Sequence, residues 1–126
     1  MLLNCFAVGA GGFIGSVFRY LVSLIPFLHR ETLPLQTLLV NVAGAVIIGI
    51  VVKASESYGG LSEQTMLFLK VGVCGGFTTF SSFALESLNI IQEGKSMMSL
   101  FYITASVLLC ILGVYIGKWI AGYFGA

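Results

Sequence analysis

Four apolar runs, each about as long as a bilayer is thick, fill most of this chain and leave little room for any other architecture. A helix needs roughly 20 mostly apolar residues to cross the hydrocarbon core. The sequence offers such runs from Leu2 to Ile25, Leu35 to Val52, Gln64 to Ile91 and Met97 to Phe124. The connecting stretches "PFLHRETLP", "KASESYGGLSE" and "QEGKS" are too short to hold a second domain, so residues 1–126 read as a single transmembrane domain. With 58% hydrophobic and only 9% charged residues, the chain could not clothe a soluble core in polar side chains. The fold class expected is an all-α integral membrane protein with four transmembrane helices. The first run lacks a basic leader and continues too long for a signal peptide, so it reads as a retained span. A net charge of +1 gives no basic patch and no reason to expect a nucleic-acid partner. Cys5, Cys74 and Cys110 lie in apolar stretches without metal-ligand spacing and read as reduced thiols in the core or facing lipid.

Four spans put both termini on one side. Lys53, Lys70 and Lys118 then fall toward that side, and Arg30 and Lys95 toward the other. Orientation follows the asymmetry of Lys and Arg, and three against two is almost no asymmetry. The chain is therefore expected to insert both ways and to pair as an antiparallel, dual-topology homodimer. A bundle of four helices is also small for enclosing a polar pathway alone.

Within the third run, "GVCGGFTTFSSF" (Gly72 to Phe83) is a poor recipe for an uninterrupted helix. Irregular backbone at membrane depth persists only where protein buries it or where it lines a cavity. A break there frees carbonyls, which suit a hard cation such as sodium, and N–H groups, which suit an anion. Gly75 and Gly76 are expected to permit the break. Thr78, Thr79, Ser81 and Ser82 supply hydroxyls to cap the next half-helix. Phe80 and Phe83, three apart, share a face of it. Their positive ring edges can favour a small anion, although core aromatics would look the same in sequence.

Other polar residues inside the runs are candidates by their cost alone. Arg19 is either a snorkelling interfacial cation or an attractor of anions. The glycines at 9, 11, 12 and 15 before it allow close helix approach. Asn41 carries a donor and an acceptor, with Thr37 one turn earlier on its face; it reads as interhelical glue or as pore lining. Glu86 has no basic neighbour in sequence, and protonation, pairing across helices and a water-filled vestibule all remain open to it. Tyr102, Ser106 and Cys110, spaced by four, form a stripe on one helix face, compatible with a polar track or a tight helix contact.

The pieces "GAGGFIGSVFRY", "TLLVNVAGAVIIGI" and "GVCGGFTTFSSFALE" together resemble the Fluc (CrcB) family of bacterial fluoride channels, and the resemblance runs over essentially the whole chain. It implies a dual-topology homodimer in the bacterial inner membrane with two antiparallel pores that passively export fluoride. It implies a structural sodium ion at the dimer centre, held by backbone carbonyls of Gly75 and Thr78 of each subunit. Fluoride is then expected to pass the rings of Phe80 and Phe83 with Asn41 donating a hydrogen bond. Ser81 and Thr79 are expected along the route, Tyr102, Ser106 and Cys110 as a polar track, and Arg19, Glu86 and Thr37 at a vestibule or gate. Cys110 departs from the hydroxyl expected at its position.

Rival classes are weaker. A small multidrug exporter wants a carboxylate in the first span, and none is there. A membrane enzyme lacks a catalytic pairing, since the single histidine, His29, lies in a connecting stretch. A purely structural subunit leaves the third-span motif without a purpose. The charge balance carries its own test: a cysteine placed in "QEGKS" is expected to react with an impermeant thiol reagent from both sides of the membrane. Labelling from one side alone would remove the antiparallel pair.

Overall fold

The computed structural model describes residues 1–125, and among the described residues it contains helices and no strand. Helix α1 spans Leu2–Ser23 and stops just ahead of Pro26, which opens a short 3-10 turn, Pro26–Leu28. Helix α2 runs Leu35–Ser57. The third span begins with α3 (Glu63–Met66), continues through a π-helical stretch (Leu67–Cys74) into α4 (Gly75–Phe77), and resumes as α5 (Phe80–Gln92). Helix α6 covers Ser96–Gly125. Among the described residues, four spans are long and apolar enough to cross a membrane.

The expected and observed limits differ most at α2, which continues past Val52 to Ser57. The extra turn is polar but helix-compatible, and it carries Glu56, which lies 3.8 Å from Lys53 and 3.7 Å from Lys118 of α6. The chain reverses only at Gly59 and Gly60, whose φ values of 78° and 95° favour glycine. Ser62 then caps α3 by accepting the Thr65 N–H.

Helix α1 lies against the third span, and α2 lies against α6. Both seams are made by glycine. A Cβ at Gly11 would meet the Phe68 carbonyl, and one at Gly15 would meet the Val73 carbonyl. From the other side, a Cβ at Gly76 would stand 2.6 Å from the Gly12 carbonyl. In the second seam, Cβ atoms at Gly49 and Gly117 would strike the carbonyls of Val114 and Val46. Lipid tails give apolar side chains no reason to leave them for one another, so close backbone packing has to supply the attraction. Of the four glycines expected to allow approach in α1, Gly9 does not take part; nothing lies within 4 Å of its Cβ position.

The buried apolar centre is small: Phe83, Ile90 and Tyr102, with Leu33, Leu38, Met98 and Ile103 packed on it. Buried hydroxyls join it to α6. Ser99 Oγ donates to the Ser87 carbonyl at 2.8 Å, and Ser87 Oγ donates to the Phe83 carbonyl at 2.7 Å. The first bond ties α6 to α5, the second lies within α5, and the tie between helices helps set where Phe83 stands.

Gly15→Val is expected to destabilise the protein by about 1–3 kcal/mol, because the new side chain must push two backbones apart. Gly9→Ala should stay within about 0.5 kcal/mol of wild type. Thermal melts of the purified protein in detergent check both.

Candidate functional site

The third span leaves helical geometry at two residues. Thr78 has φ −86° and ψ 158°, and Thr79 has φ −149° and ψ 114°. Gly75 and Gly76, expected to permit a break, are not where it occurs: Gly75 is helical at φ −64° and ψ −38°, and Gly76 serves the seam with α1. Threonine does the work because its hydroxyl offers the backbone local alternatives to the helical ladder. Thr78 Oγ1 donates to the Cys74 carbonyl at 2.8 Å. Thr79 Oγ1 accepts the Ser82 N–H at 3.2 Å and caps α5.

Asn41 of α2 holds this segment. Its Oδ1 accepts the Thr79 N–H at 2.7 Å, and its Nδ2 donates to the Thr79 carbonyl at 3.0 Å. One side-chain amide thus pairs with both backbone groups of Thr79, as a neighbouring strand would. Gly44, three residues further along α2, leaves room for the Thr78 methyl group; a Cβ there would collide with it. The pairing has a consequence for the carbonyls nearby. In a continuous helix the Thr79 N–H would bond to the Gly75 carbonyl and the Ser82 N–H to the Thr78 carbonyl. Here the first goes to Asn41 and the second to Thr79 Oγ1, so Gly75 and Thr78 keep carbonyl lone pairs that the helix would have used.

A cavity of about 500 Å³ opens beside this segment. Asn41, Gly75, Thr78, Thr79, Phe80, Phe83, Ser106 and Cys110 all line it. The rings of Phe80 and Phe83 lie 5.5 Å apart, tilted by 52°. Asn41 spends one Nδ2 hydrogen on Thr79 and has a second to offer. Ser106 is 5% exposed, and its Oγ is the one buried side-chain polar atom without a partner among the described residues. A second cavity of about 350 Å³ is lined by Arg19, Thr37, Thr79, Ser82 and Glu86, with Ser16, Tyr20, Ser23 and Gln36. Thr79 lines both cavities.

The stripe expected along α6 divides. Ser106 and Cys110 face the larger cavity, whereas Tyr102 is 2% exposed and donates its hydroxyl to Glu86 Oε2 at 2.8 Å. Glu86 also accepts from Thr37 Oγ1 at 2.6 Å through Oε1, so of the environments left open for it, the structure shows pairing across helices and a cavity wall. Ser81 is exposed and lines neither cavity; its Oγ stands 3.5 Å from Thr79 Oγ1. Lys70, a flanking cation by its sequence position, lines the larger cavity. Its place one turn before Cys74 in an apolar run was the signal available. The contribution of Gly44 had no sequence signal, because it depends on which residue of another span approaches it.

The fold and this site define a multi-pass helical membrane protein in which hydroxyl, amide and thiol groups, aromatic rings and one lysine, Lys70, line a cavity at an interrupted helix. Residues 6–118 match the family model described as CrcB-like protein, Camphor Resistance (CrcB), and the chain belongs to that family. It is similar to the fluoride-specific ion channel FluC of Ruminiclostridium cellulolyticum, at 39% identity over 121 residues, 95% of this chain and 93% of that one. The protein of the same name from Methylobacterium radiotolerans is 38% identical over 123 residues, 96% and 86% of the two chains. That from Rhizobium meliloti is 45% identical over 112 residues, 87% and 89% of the two chains. These relatives are named for ion conduction, not for catalysis.

Asn41→Ala removes both bonds to Thr79 and strands a buried N–H. A loss of about 2–3 kcal/mol is expected, together with faster amide hydrogen exchange at Thr79. Unchanged exchange there would show that Asn41 does not hold the segment.

Proposed function

We propose that this chain is a fluoride channel that lets the anion leave the cytoplasm passively, down its electrochemical gradient. The observation that carries the reading is the larger cavity, which Asn41, Ser106 and Cys110 line together with the Phe80 and Phe83 rings. Fluoride is small and strongly hydrated, so a conducting path must replace part of its water shell and still release it. The spare Asn41 N–H, the unpartnered Ser106 hydroxyl and positive ring edges are several modest donors, and Lys70 adds one cation to the same lining. A larger halide fits such a path less well and is solvated less strongly by it. Thr79, which lines both cavities, supports a route that continues from the larger cavity into the second, where Arg19 and Glu86 both line the wall.

The functional unit in this reading is an antiparallel homodimer in the cytoplasmic membrane, with one pore in each orientation. Phe80 supports it: the ring is 78% exposed in the single chain although it lies beside the buried Phe83. A second copy over that face would cover Phe80 and the exposed Gly75 and Val71 together. The near balance of Lys and Arg across the membrane favours insertion in both directions.

A structural sodium ion at the dimer centre fits the backbone. The diverted N–H groups leave carbonyl capacity at Gly75 and Thr78, and two subunits would offer four such oxygens. Uncharged oxygen ligands suit a hard monovalent cation, and no cluster of His, Cys, Asp or Glu competes for a metal among the described residues. Bound there, sodium would offset the partial negative charge of the carbonyls and tie the two subunits together.

Purified protein in liposomes, with charge movement relieved by a potassium ionophore, is expected to release fluoride and retain chloride. Phe80→Ile and Asn41→Asp should each cut fluoride efflux by about tenfold or more while the dimer survives size-exclusion chromatography. Wild-type efflux in both variants would overturn the route. Proton-coupled export of lipophilic cations instead of fluoride would replace the reading with a multidrug exporter.

A further inference from the structure

Cys110 occupies a place in the larger cavity that the donor chemistry of the other lining residues does not explain. A thiol is a weak hydrogen-bond donor, so Cys110 adds little to the solvation of an anion. What a thiol adds is nucleophilicity, once ionised. Cys110 is partly exposed, and it lies one helical turn beyond Ser106 on the same face of α6. The Ser106 hydroxyl, buried and unpartnered, points independently to a ligand at this spot. A group attached to the Cys110 sulfur would therefore stand beside a donor that a transiting ion needs.

We propose that Cys110 is a covalent modification site in the anion route, through which small disulfide-forming electrophiles shut the channel. The proposal rests on the fluoride-channel reading given above. The other two cysteines differ in position. Cys74 lines the same cavity but is only 3% exposed, and Cys5 is exposed on α1, outside both cavities. With methyl methanethiosulfonate as the electrophile, the Cys110 thiol loses its proton to solvent and the thiolate attacks the methylthio sulfur. A new S–S bond forms, the bond between sulfur and the sulfonyl group breaks, and methanesulfinate leaves with the electron pair. The product carries an added methylthio group beside the Ser106 hydroxyl. Its bulk narrows the cavity where Cys110 lines it. A dithiol reductant reverses the step by exchange.

The test uses the full-length protein in liposomes loaded with fluoride, treated with methyl methanethiosulfonate at mildly alkaline pH, where more of the thiol is ionised. Efflux is expected to fall by about tenfold or more, to recover with dithiothreitol, and to coincide with one added methylthio group on the peptide containing Cys110. The ratio of efflux before and after reagent is read in each variant. Cys110→Ser should lose the sensitivity, and the double variant Cys5→Ser, Cys74→Ser should keep it. Sensitivity that persists in Cys110→Ser would overturn the proposal, as would a wild-type channel that conducts normally with Cys110 modified, or one whose Cys110 stays unmodified. Absence of fluoride efflux before any reagent is added would instead overturn the channel reading itself, a result separable from all of these.

Discussion

The two hydrogen bonds between the Asn41 amide and the backbone of Thr79 are what the rest of the site depends on. An interrupted helix in an apolar span has amide groups with no water to turn to. A single side chain from α2 satisfies both groups of the one residue that most needs it. Once Thr79 is held in an extended conformation, its hydroxyl can cap α5 and its N–H is no longer available to the Gly75 carbonyl. The same geometry sets the start of α5, and so the direction in which Phe80 and Phe83 face the cavity. Asn41 is therefore structural support first, and its remaining N–H is what it can offer to an ion.

That support needs rigid neighbours, and the two glycine seams provide them. Close backbone approach between α1 and the third span, and between α2 and α6, gives two stiff helix pairs with few large side chains between them. Polar contacts then lock one pair to the other. Glu86 gathers Thr37 from α2 and Tyr102 from α6, and Ser99 of α6 holds Ser87 of α5. In a lipid surrounding, such bonds have little competition from water, so a few of them can fix the relative placement of spans that hydrophobicity alone would leave undefined.

Much of this was legible in the residues, because transmembrane helices announce themselves by length and composition. All four spans emerged with limits near those expected, apart from the polar last turn of α2, which Glu56 extends by contacts to Lys53 and Lys118. The unusual character of Gly72 to Phe83 was also legible, but its non-helical residues are Thr78 and Thr79, whereas the glycines beside them stay helical. Glycine permits either geometry and decides neither. What excluded the helix was the Thr79 hydroxyl together with a hydrogen bond offered by Asn41, 38 residues away in sequence. The four-residue stripe on α6 had the right periodicity and the wrong unity: Tyr102 is drawn off by Glu86, a partner that no local pattern reveals.

The sequence by itself determined that the chain crosses a membrane four times, that its flanking charge is nearly even, and that one span is ill suited to remain helical throughout. Each of these is a property of composition or local spacing, and a chain carries such properties before it folds. Tertiary structure alone decided which donors are spent and which remain. Asn41, Tyr102 and Glu86 are all polar residues in apolar runs, yet packing pairs each with a partner on another span and leaves the Ser106 hydroxyl unclaimed beside the cavity. The physical reason is that hydrogen bonds are directional and short. Their assignment waits on distances of a few ångströms between helices, and those distances are set by the glycine seams.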